Sequence, residues 1–196
     1  IHSYPPIHCN RYFLGHLWMR YNSPRFVSSK QFSLLVIALL LIGAGLFSTR
    51  TYGAQLPQRS LTLSDSLPSA TAQYTLSFTI PGSETLGSIQ LQFCSDSPLF
   101  GEPCTAPTGF DVSGATLSAQ TGETGFSVSG STTANTLILT RIAASTPGGP
   151  VTYTLDNVVN ASAPGTYYGR LQTFASTDGS GPENDHGGRA FVVNNS

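Results

Sequence analysis

Charged residues are scarce in this sequence, and lysine is almost absent. Only 10% of the 196 residues are Asp, Glu, Lys or Arg, and Lys30 is the single lysine. After Ala54 the chain has four arginines and ten acidic residues, which gives that region a formal net charge of −6. Phosphate binding requires clustered Lys and Arg. The composition therefore argues against nucleic acid as a partner of the region after Ala54, and favours a soluble secreted domain.

The sequence also lacks the short motifs that carry most catalytic chemistry. It contains no phosphate-binding loop and no CxxC or HExxH motif. After Ala54 the only histidine is His186. A triad of Ser180, Asp185 and His186 is disfavoured, because neighbours in one loop rarely adopt that catalytic geometry. We therefore predict no catalytic residues and a protein that is not an enzyme.

Acidic residues leave one enzymatic alternative open. Asp65, Asp96 and Asp111 fall in predicted turns, where Asp usually hydrogen-bonds the local backbone. A secreted hydrolase acting on glycans would instead need two carboxyl groups about 5–10 Å apart in a groove. Carboxyls in such a groove would favour the hydrolase, and acids scattered on turns favour a binding module.

Basic residues are concentrated before residue 51, where no acid occurs. Met19, the only methionine, is followed by three basic residues and then by the apolar run 32–47. That order is typical of a secretory signal, and it places the basic end on the cytoplasmic side. We expect residues 1–18 to be upstream read-through or a disordered tail. Residues 19–54 are expected to be a signal peptide or signal-anchor with an apolar helix.

The apolar run leaves cleavage and anchoring as alternatives. A spanning helix usually needs about 20 residues, so a run of 16 is short for a stable span. Cleavage before Ala54 would place small residues, Thr51 and Gly53, at the positions that signal peptidase favours. A lipoprotein signal would need a Cys directly after the run, and a pilin signal a Glu within it; neither is present. We predict an extracellular or cell-envelope location, with membrane attachment if the segment is not cleaved.

Cysteine usage fits an oxidising compartment. Cys9 falls in the leader, and the region after Ala54 retains two cysteines, Cys94 and Cys104. An even, closely spaced pair beyond an export signal predicts a disulfide, which would stabilise the fold by about 2–3 kcal/mol. Free thiols and a two-Cys metal site are the alternatives.

The region after residue 55 alternates apolar and polar side chains with a period of two, which is typical of half-buried strands. Gly, Pro, Asn and Asp separate these segments, and no helical pattern occurs between them. The predicted strands are 61–63, 74–80, 86–94, 115–118, 125–129, 136–142, 151–155, 166–175 and 188–193. About nine strands without helices predict an all-β antiparallel sandwich over residues 55–196. The last predicted strand, 188–193, ends three residues before the end of the sequence. A domain truncated at its C-terminus is therefore an alternative to a complete one.

One segment carries a family resemblance. Pro164-Gly165-Thr166-Tyr167-Tyr168 opens a late strand just after a turn. It resembles the tyrosine corner of immunoglobulin-like domains, which implies that the Tyr167 hydroxyl bonds back across the turn. The inter-sheet cysteine pair and core tryptophan of true immunoglobulin domains are absent, since the only tryptophan is Trp18. The whole pattern is similar to bacterial secreted and surface proteins with immunoglobulin-like sandwiches.

A polar segment near the C-terminus suggests a cation site. Asp178, Ser180, Glu183 and Asp185 present oxygens at loop spacing, and Ca²⁺ takes six to eight oxygen ligands. The EF-hand pattern is incomplete, so calcium is a weak prediction, and no other cofactor is indicated. Two sequons, at Asn160 and Asn194, match the N-glycosylation pattern.

Two classes of function follow. The first is an exported, non-catalytic sandwich for adhesion, ligand binding or envelope and filament structure, with a surface glycan, a protein or further copies of itself as partner. The second is the secreted glycan hydrolase. The sequence identifies no particular ligand.

Overall fold

The computed structural model describes residues 54–194, which form ten strands and no helix. The strands are β1 (Ala54–Gln55), β2 (Ser60–Leu63), β3 (Thr71–Ile80), β4 (Glu84–Cys94), β5 (Thr116–Thr121), β6 (Ser127–Val128), β7 (Thr136–Thr146), β8 (Gly149–Val159), β9 (Gly165–Phe174) and β10 (Glu183–Val193). Across these residues we find no helix with the length and apolarity needed to cross a membrane. The leader 1–18, most of the signal segment 19–54 and the apolar run 32–47 lie outside the described residues.

The strands form two sheets that pack as a sandwich. The six-stranded sheet has the order β1-β10-β9-β4-β7-β6, and the four-stranded sheet has the order β2-β3-β8-β5. Every pairing is antiparallel except that of β1 with β10, which is parallel. The predicted all-β antiparallel sandwich is therefore confirmed.

Alternation in the sequence explains how each sheet acquires a core face. In β3, every second residue from Ala72 to Ile80 is buried, and the residues between them are partly or fully exposed. β8 shows the same alternation from Val151 to Leu155. Successive side chains of a strand point to opposite faces, so this pattern buries one face of each strand. The inward faces meet in one core that contains residues from both sheets.

All nine predicted segments overlap strands, but most strand bounds differ from the predicted ones; β3, β8 and β10 in particular extend well beyond the predicted segments. The two-residue β1 carries no alternation and was not predicted. β10 begins at Glu183 rather than at 188, so Asp185 and His186 lie in a strand and not in an exposed hairpin loop. Polar side chains are stable in this part of β10 because both of its faces contact polar groups. On the outer face Glu183 contacts Gln172, and on the core-facing side Asp185 contacts Glu84.

The end of the sandwich around Tyr167 is held by two buried polar contacts. The Tyr167 hydroxyl donates to the Ala163 carbonyl at 2.8 Å, across the turn that precedes β9. Nearby, the Tyr74 hydroxyl donates to Asn160 Oδ1 at 2.8 Å. The Asn160 amide in turn donates to the carbonyls of Asp65 and Leu67 at 3.0 and 2.8 Å. Asn160 thus joins β3 to the turn between β2 and β3.

Candidate functional site

Two loops cover the outer face of the six-stranded sheet. The disulfide loop, residues 95–104, follows β4, and the hairpin loop, residues 175–182, joins β9 to β10. Both fold back over strands of this sheet instead of extending into solvent, as their hydrogen bonds to β9 and β4 show. Between the two loops, a strip of the sheet's outer face carries polar side chains.

The disulfide loop is fixed at its base by Cys94 and Cys104, whose sulfurs are bonded at 2.01 Å. Its interior is fixed by Arg170, which lies on β9 and is only 4% exposed. The Arg170 guanidinium donates to three loop carbonyls, those of Ser97, Glu102 and Pro103, at 3.0, 3.0 and 2.7 Å. A guanidinium has five donors in a fixed planar arrangement, which suits it to hold several carbonyls at once.

The hairpin loop is fixed by hydroxyl groups of two strands: Thr140 of β7 donates to the Thr177 carbonyl, and Ser88 of β4 is buried beneath the loop. The Ser88 hydroxyl donates to the Ser176 carbonyl at 2.7 Å and accepts from the Gly179 amide at 3.0 Å. Gly179 also lies over Ile138 of β7, and a Cβ at this glycine would contact the Ile138 side chain. Ile138 is consequently buried on the outer face of the sheet, outside the main core.

Three polar residues occupy neighbouring positions on β4, β9 and β10. Gln90 pairs with Gln172, and Gln172 pairs with His186. With Glu183 they form what we call the polar row. Gln90 Nε2 lies 3.5 Å from Gln172 Oε1, and Gln172 Nε2 donates to the Glu183 carboxylate. Glu183 Oε1 lies 3.0 Å from His186 Nδ1, an ion-pair distance without the alignment of a hydrogen bond.

An aromatic ring closes one end of the polar row. The Phe100 ring, from the disulfide loop, meets the His186 ring edge to face at 5.2 Å between centroids. Amide, carboxylate and imidazole groups that remain partly exposed are suited to hydrogen-bond the hydroxyls or amides of a ligand. An adjacent aromatic ring adds apolar contact area. The arrangement is suited to binding, and it places no nucleophile beside a base.

The residues of the disfavoured triad, Ser180, Asp185 and His186, are not brought together. Asp185 and His186 are adjacent in β10, so their side chains point to opposite faces of the sheet. The Ser180 hydroxyl donates to Asp178 Oδ1 at 2.7 Å, within its own loop.

Asp185 meets Glu84 on the core-facing side of the sheet. Asp185 is 4% exposed, its backbone amide donates to Thr173 Oγ1 at 3.1 Å, and its carboxyl lies beside that of Glu84. One Glu84 oxygen, Oε1, is buried without a hydrogen-bond partner. Burial, followed by the contact with Asp185, raises the pKa of Glu84 to about 7.

The four candidate calcium ligands are engaged separately. Asp178 accepts from the Ser180 amide and hydroxyl, and these bonds lower the pKa of its carboxyl. Glu183 belongs to the polar row, and Asp185 faces Glu84. Within residues 54–194, no group of three or more His, Cys, Asp or Glu side chains is placed to hold a metal ion. The calcium site stays a prediction.

The three aspartates of the predicted turns and the asparagine of the first sequon have structural partners. Asp65, Asp96 and Asp111 each accept from a backbone amide one or two residues later, as turn aspartates do. Asn160 is fully buried and its amide nitrogen donates to two carbonyls, so this sequon offers no accessible attachment point in the folded domain.

Sequence reasoning did not identify Arg170, Glu84 or the two glutamines of the polar row, and it singled out Glu183 and His186 only for other roles. Arg170 is 73 residues from Ser97 and 68 from Glu102, so no local pattern indicates these contacts. The only available signal was a lone arginine in an otherwise uncharged predicted strand, which is unusual for a half-buried strand.

No protein-family model and no curated protein matches the chain. Among solved structures, it is similar to BslA, a bacterial hydrophobin, at 14% identity and a TM-score of 0.40, covering 69% of this chain and 94% of that one. It is also similar to the collagen-binding domain of a Staphylococcus aureus adhesin, at 12% identity and a TM-score of 0.31, covering 67% and 95%. These values are too low for either likeness to carry a functional argument.

Arg170→Lys tests the anchoring of the disulfide loop. Lysine keeps the charge but cannot hold three carbonyls in one plane. We expect the free energy of unfolding in urea to fall by about 2–3 kcal/mol, because the lysine would leave some of the three loop carbonyls without a donor and its buried ammonium with too few acceptors. Arg189→Lys, at an exposed position of β10, is the control and should change it little. Equal effects of the two substitutions would contradict the anchoring role.

Glu84→Gln tests the carboxyl pair. Because the folded-state pKa of Glu84 is raised from 4.5 to about 7, the folded protein binds more protons than the unfolded chain between these values. This contribution to stability is full below the unfolded pKa and is lost as the pH rises through about 7. Glu84→Gln should therefore stabilise the protein at about pH 8 by about 1–2 kcal/mol, less than the full shift because solvent screens a half-exposed group.

Urea unfolding at about pH 5 and about pH 8 measures this linkage. The exposed Glu102→Gln is the matched control, and it should retain the wild-type slope of stability against pH. An unchanged slope in Glu84→Gln would show that the pair does not carry the linkage.

Proposed function

We propose that this protein is an exported, non-catalytic β-sandwich module that binds a neutral surface glycan through the polar row. The observation that carries the binding proposal is the row itself: Gln90, Gln172, Glu183 and His186 lie across three strands between two fixed loops. A protein partner at the same strip is the second possibility.

Rigidity of the surroundings supports a binding role. One loop is fixed by a disulfide and by Arg170, and the other by Ser88. Groups that are already ordered lose less conformational entropy when a ligand binds, so less of the interaction free energy is offset. Within the row, Gln172 and Glu183 are oriented by each other, which fixes the direction of the remaining donors and acceptors.

Charge and chemistry favour a neutral, hydroxyl-rich ligand. The region after Ala54 is net −6 and has no lysine, so an acidic polymer would be repelled. Amide and carboxylate groups beside an aromatic ring provide hydrogen bonds for hydroxyls and a face for apolar C–H groups. A neutral polysaccharide offers both.

Export is supported by the sequence of the leader. The basic residues after Met19 and the apolar run 32–47 have the order of a secretory signal. A Cys94–Cys104 disulfide is compatible with an oxidising compartment outside the cytoplasm. Release after cleavage and retention by an uncleaved anchor are both compatible with this proposal.

Cell fractionation tests export directly. The protein is produced in a bacterial host and detected with an antibody against residues 55–196. We expect to find it in the envelope or the medium. Cys94 and Cys104 should not react with an alkylating reagent until the disulfide is reduced. The variant that deletes the apolar run 32–47 is the control and should remain inside the cell with reactive thiols. A wild-type pool confined to the cytoplasm would contradict export.

Binding to purified neutral envelope polysaccharide tests the polar row. Replacing Gln172 and His186 together by Ala should weaken binding about tenfold or more, since each lost hydrogen bond contributes about 1 kcal/mol. The control variant replaces Thr75 and Thr154 together by Ala. Both lie on the outer face of the four-stranded sheet, so this variant should bind like wild type. Retained binding by the Gln172/His186 variant would exclude the row. If the wild-type protein binds only to envelope protein, its partner is a protein and not a glycan.

A further inference from the structure

Two acidic side chains, Glu84 of β4 and Asp185 of β10, lie beside each other without a cation. Asp185 is 4% exposed, and Glu84 Oε1 is buried without a hydrogen-bond partner. Among residues 54–194, no basic side chain lies within ion-pair distance of either carboxyl. Burial of a carboxylate is unfavourable unless an opposite charge or hydrogen bonds replace its lost hydration. A positive charge beside this pair would therefore be stabilising.

The basic side chains of the surrounding segments have other partners. Arg59 and Arg170 donate to backbone carbonyls. Arg141 of β7 pairs with Glu123 at 2.9 Å. His186 belongs to the polar row on the opposite face of the sheet. None of these groups compensates the two carboxyls.

The strand β1 brings the backbone at Ala54 next to this pair. β1 runs parallel to β10, and its register places Ala54 opposite Asp185. The Leu56 amide donates to the His186 carbonyl at 2.9 Å, and the Leu56 side chain is fully buried, which fixes that register. Because neighbouring strands lie about 4.8 Å apart, a charge on the Ala54 nitrogen would act on the Asp185 carboxyl at short range.

Signal cleavage would create such a charge. Cleavage before Ala54 places Thr51 and Gly53 at the small-residue positions that signal peptidase favours. Hydrolysis of the Gly53–Ala54 peptide bond consumes one water molecule. It leaves a carboxylate on Gly53 of the released leader and an α-ammonium on Ala54. The ordinary pKa of an α-amino group is about 7.7–8.0, so this group is mostly protonated at neutral pH. In the uncleaved chain the same nitrogen is an uncharged amide.

We propose that signal peptidase cleaves before Ala54 and that the new α-ammonium pairs with the carboxyls of Asp185 and Glu84. This inference rests on the proposed export, to which it adds the cleavage position and the cation that the carboxyl pair lacks. Removal of the leader then strengthens the attachment of β1 to β10.

The pairing changes the pH dependence described above for Glu84. An opposite charge favours the ionised form of a carboxyl, so the α-ammonium lowers the pKa of Glu84 in the cleaved chain. The raised pKa of Glu84, and the linkage that follows from it, belong to the uncleaved chain. The same pairing raises the pKa of the α-amine.

The scarcity of lysine makes the new terminus easy to observe. Lys30, the only lysine, lies in the leader, so the α-amine of Ala54 is the only primary amine of the cleaved chain. An amine-specific acylating reagent reacts only with the unprotonated form. Brief acylation at a series of pH values therefore measures the pKa of this one group.

The experiment uses the full-length chain, produced in a bacterial host and purified from the envelope or the medium. After acylation and tryptic digestion, mass spectrometry should find an N-terminal peptide that spans residues 54–59. We expect its amine to titrate about one pH unit or more above the ordinary range of about 7.7–8.0. Asp185→Asn should return the titration to that range. The exposed Glu102→Gln removes the same charge elsewhere, so this control should titrate like wild type.

Glu84→Gln, at a partly exposed position, is a second test variant in case Asp185→Asn does not fold, and it should shift the titration part of the way down. Thermal unfolding verifies that each variant is folded. Exported protein that is uncleaved, or that begins at a residue other than Ala54, overturns this inference and leaves export intact. A cleaved chain whose amine titrates in the ordinary range overturns the pairing. So does a raised titration that neither carboxyl variant lowers.

Discussion

A cluster of aromatic rings joins the two sheets, and the rest of the sandwich is arranged around it. Tyr74 belongs to the four-stranded sheet, whereas Phe93, Tyr167 and Phe191 belong to the six-stranded one. Phe191 lies 5.8–5.9 Å from each of the other three, mostly edge to face. Such contacts fix ring orientation as well as burying area.

This orientation also decides where the buried hydroxyls of the tyrosines point. The rings of Tyr74 and Tyr167 are held by the cluster, so each hydroxyl must find its partner at the end of the sandwich. Asn160 and the Ala163 carbonyl supply those partners. An unpaired buried hydroxyl would cost about 1–3 kcal/mol. The packing of the rings and the geometry of the turns at this end therefore depend on each other.

The strand positions were predictable from the sequence because they depend on local alternation. The site was not predictable, because it depends on contacts between residues that are far apart in the sequence. The period of two located β3 and β8 from their own residues. By contrast, Arg170 contacts residues about 70 positions earlier, and Glu84 meets Asp185 across about 100 positions. The start of β10 was missed for the same reason, since its polar residues are stabilised by partners on β4 and β9 that the local sequence does not reveal.

β7 shows how one apolar pattern can have two physical causes. From Thr136 to Ile142, four of the seven residues are large and aliphatic, which indicates a more central strand than the alternating ones. The structure buries Leu137 and Leu139 in the core and Ile138 beneath the hairpin loop, so that interpretation holds for the first half of the strand. It fails at Ile142, which the bulge at Gly87 turns to solvent.

Ile138 and Ile142 are four residues apart, and alternation alone would place them on the same face. The hairpin loop covers the first because Ser88 holds it there, and nothing comparable covers the second among the described residues. Folding accounts for the apolar character of Ile138 but not for that of Ile142, because a nearly fully exposed side chain contributes little to the core.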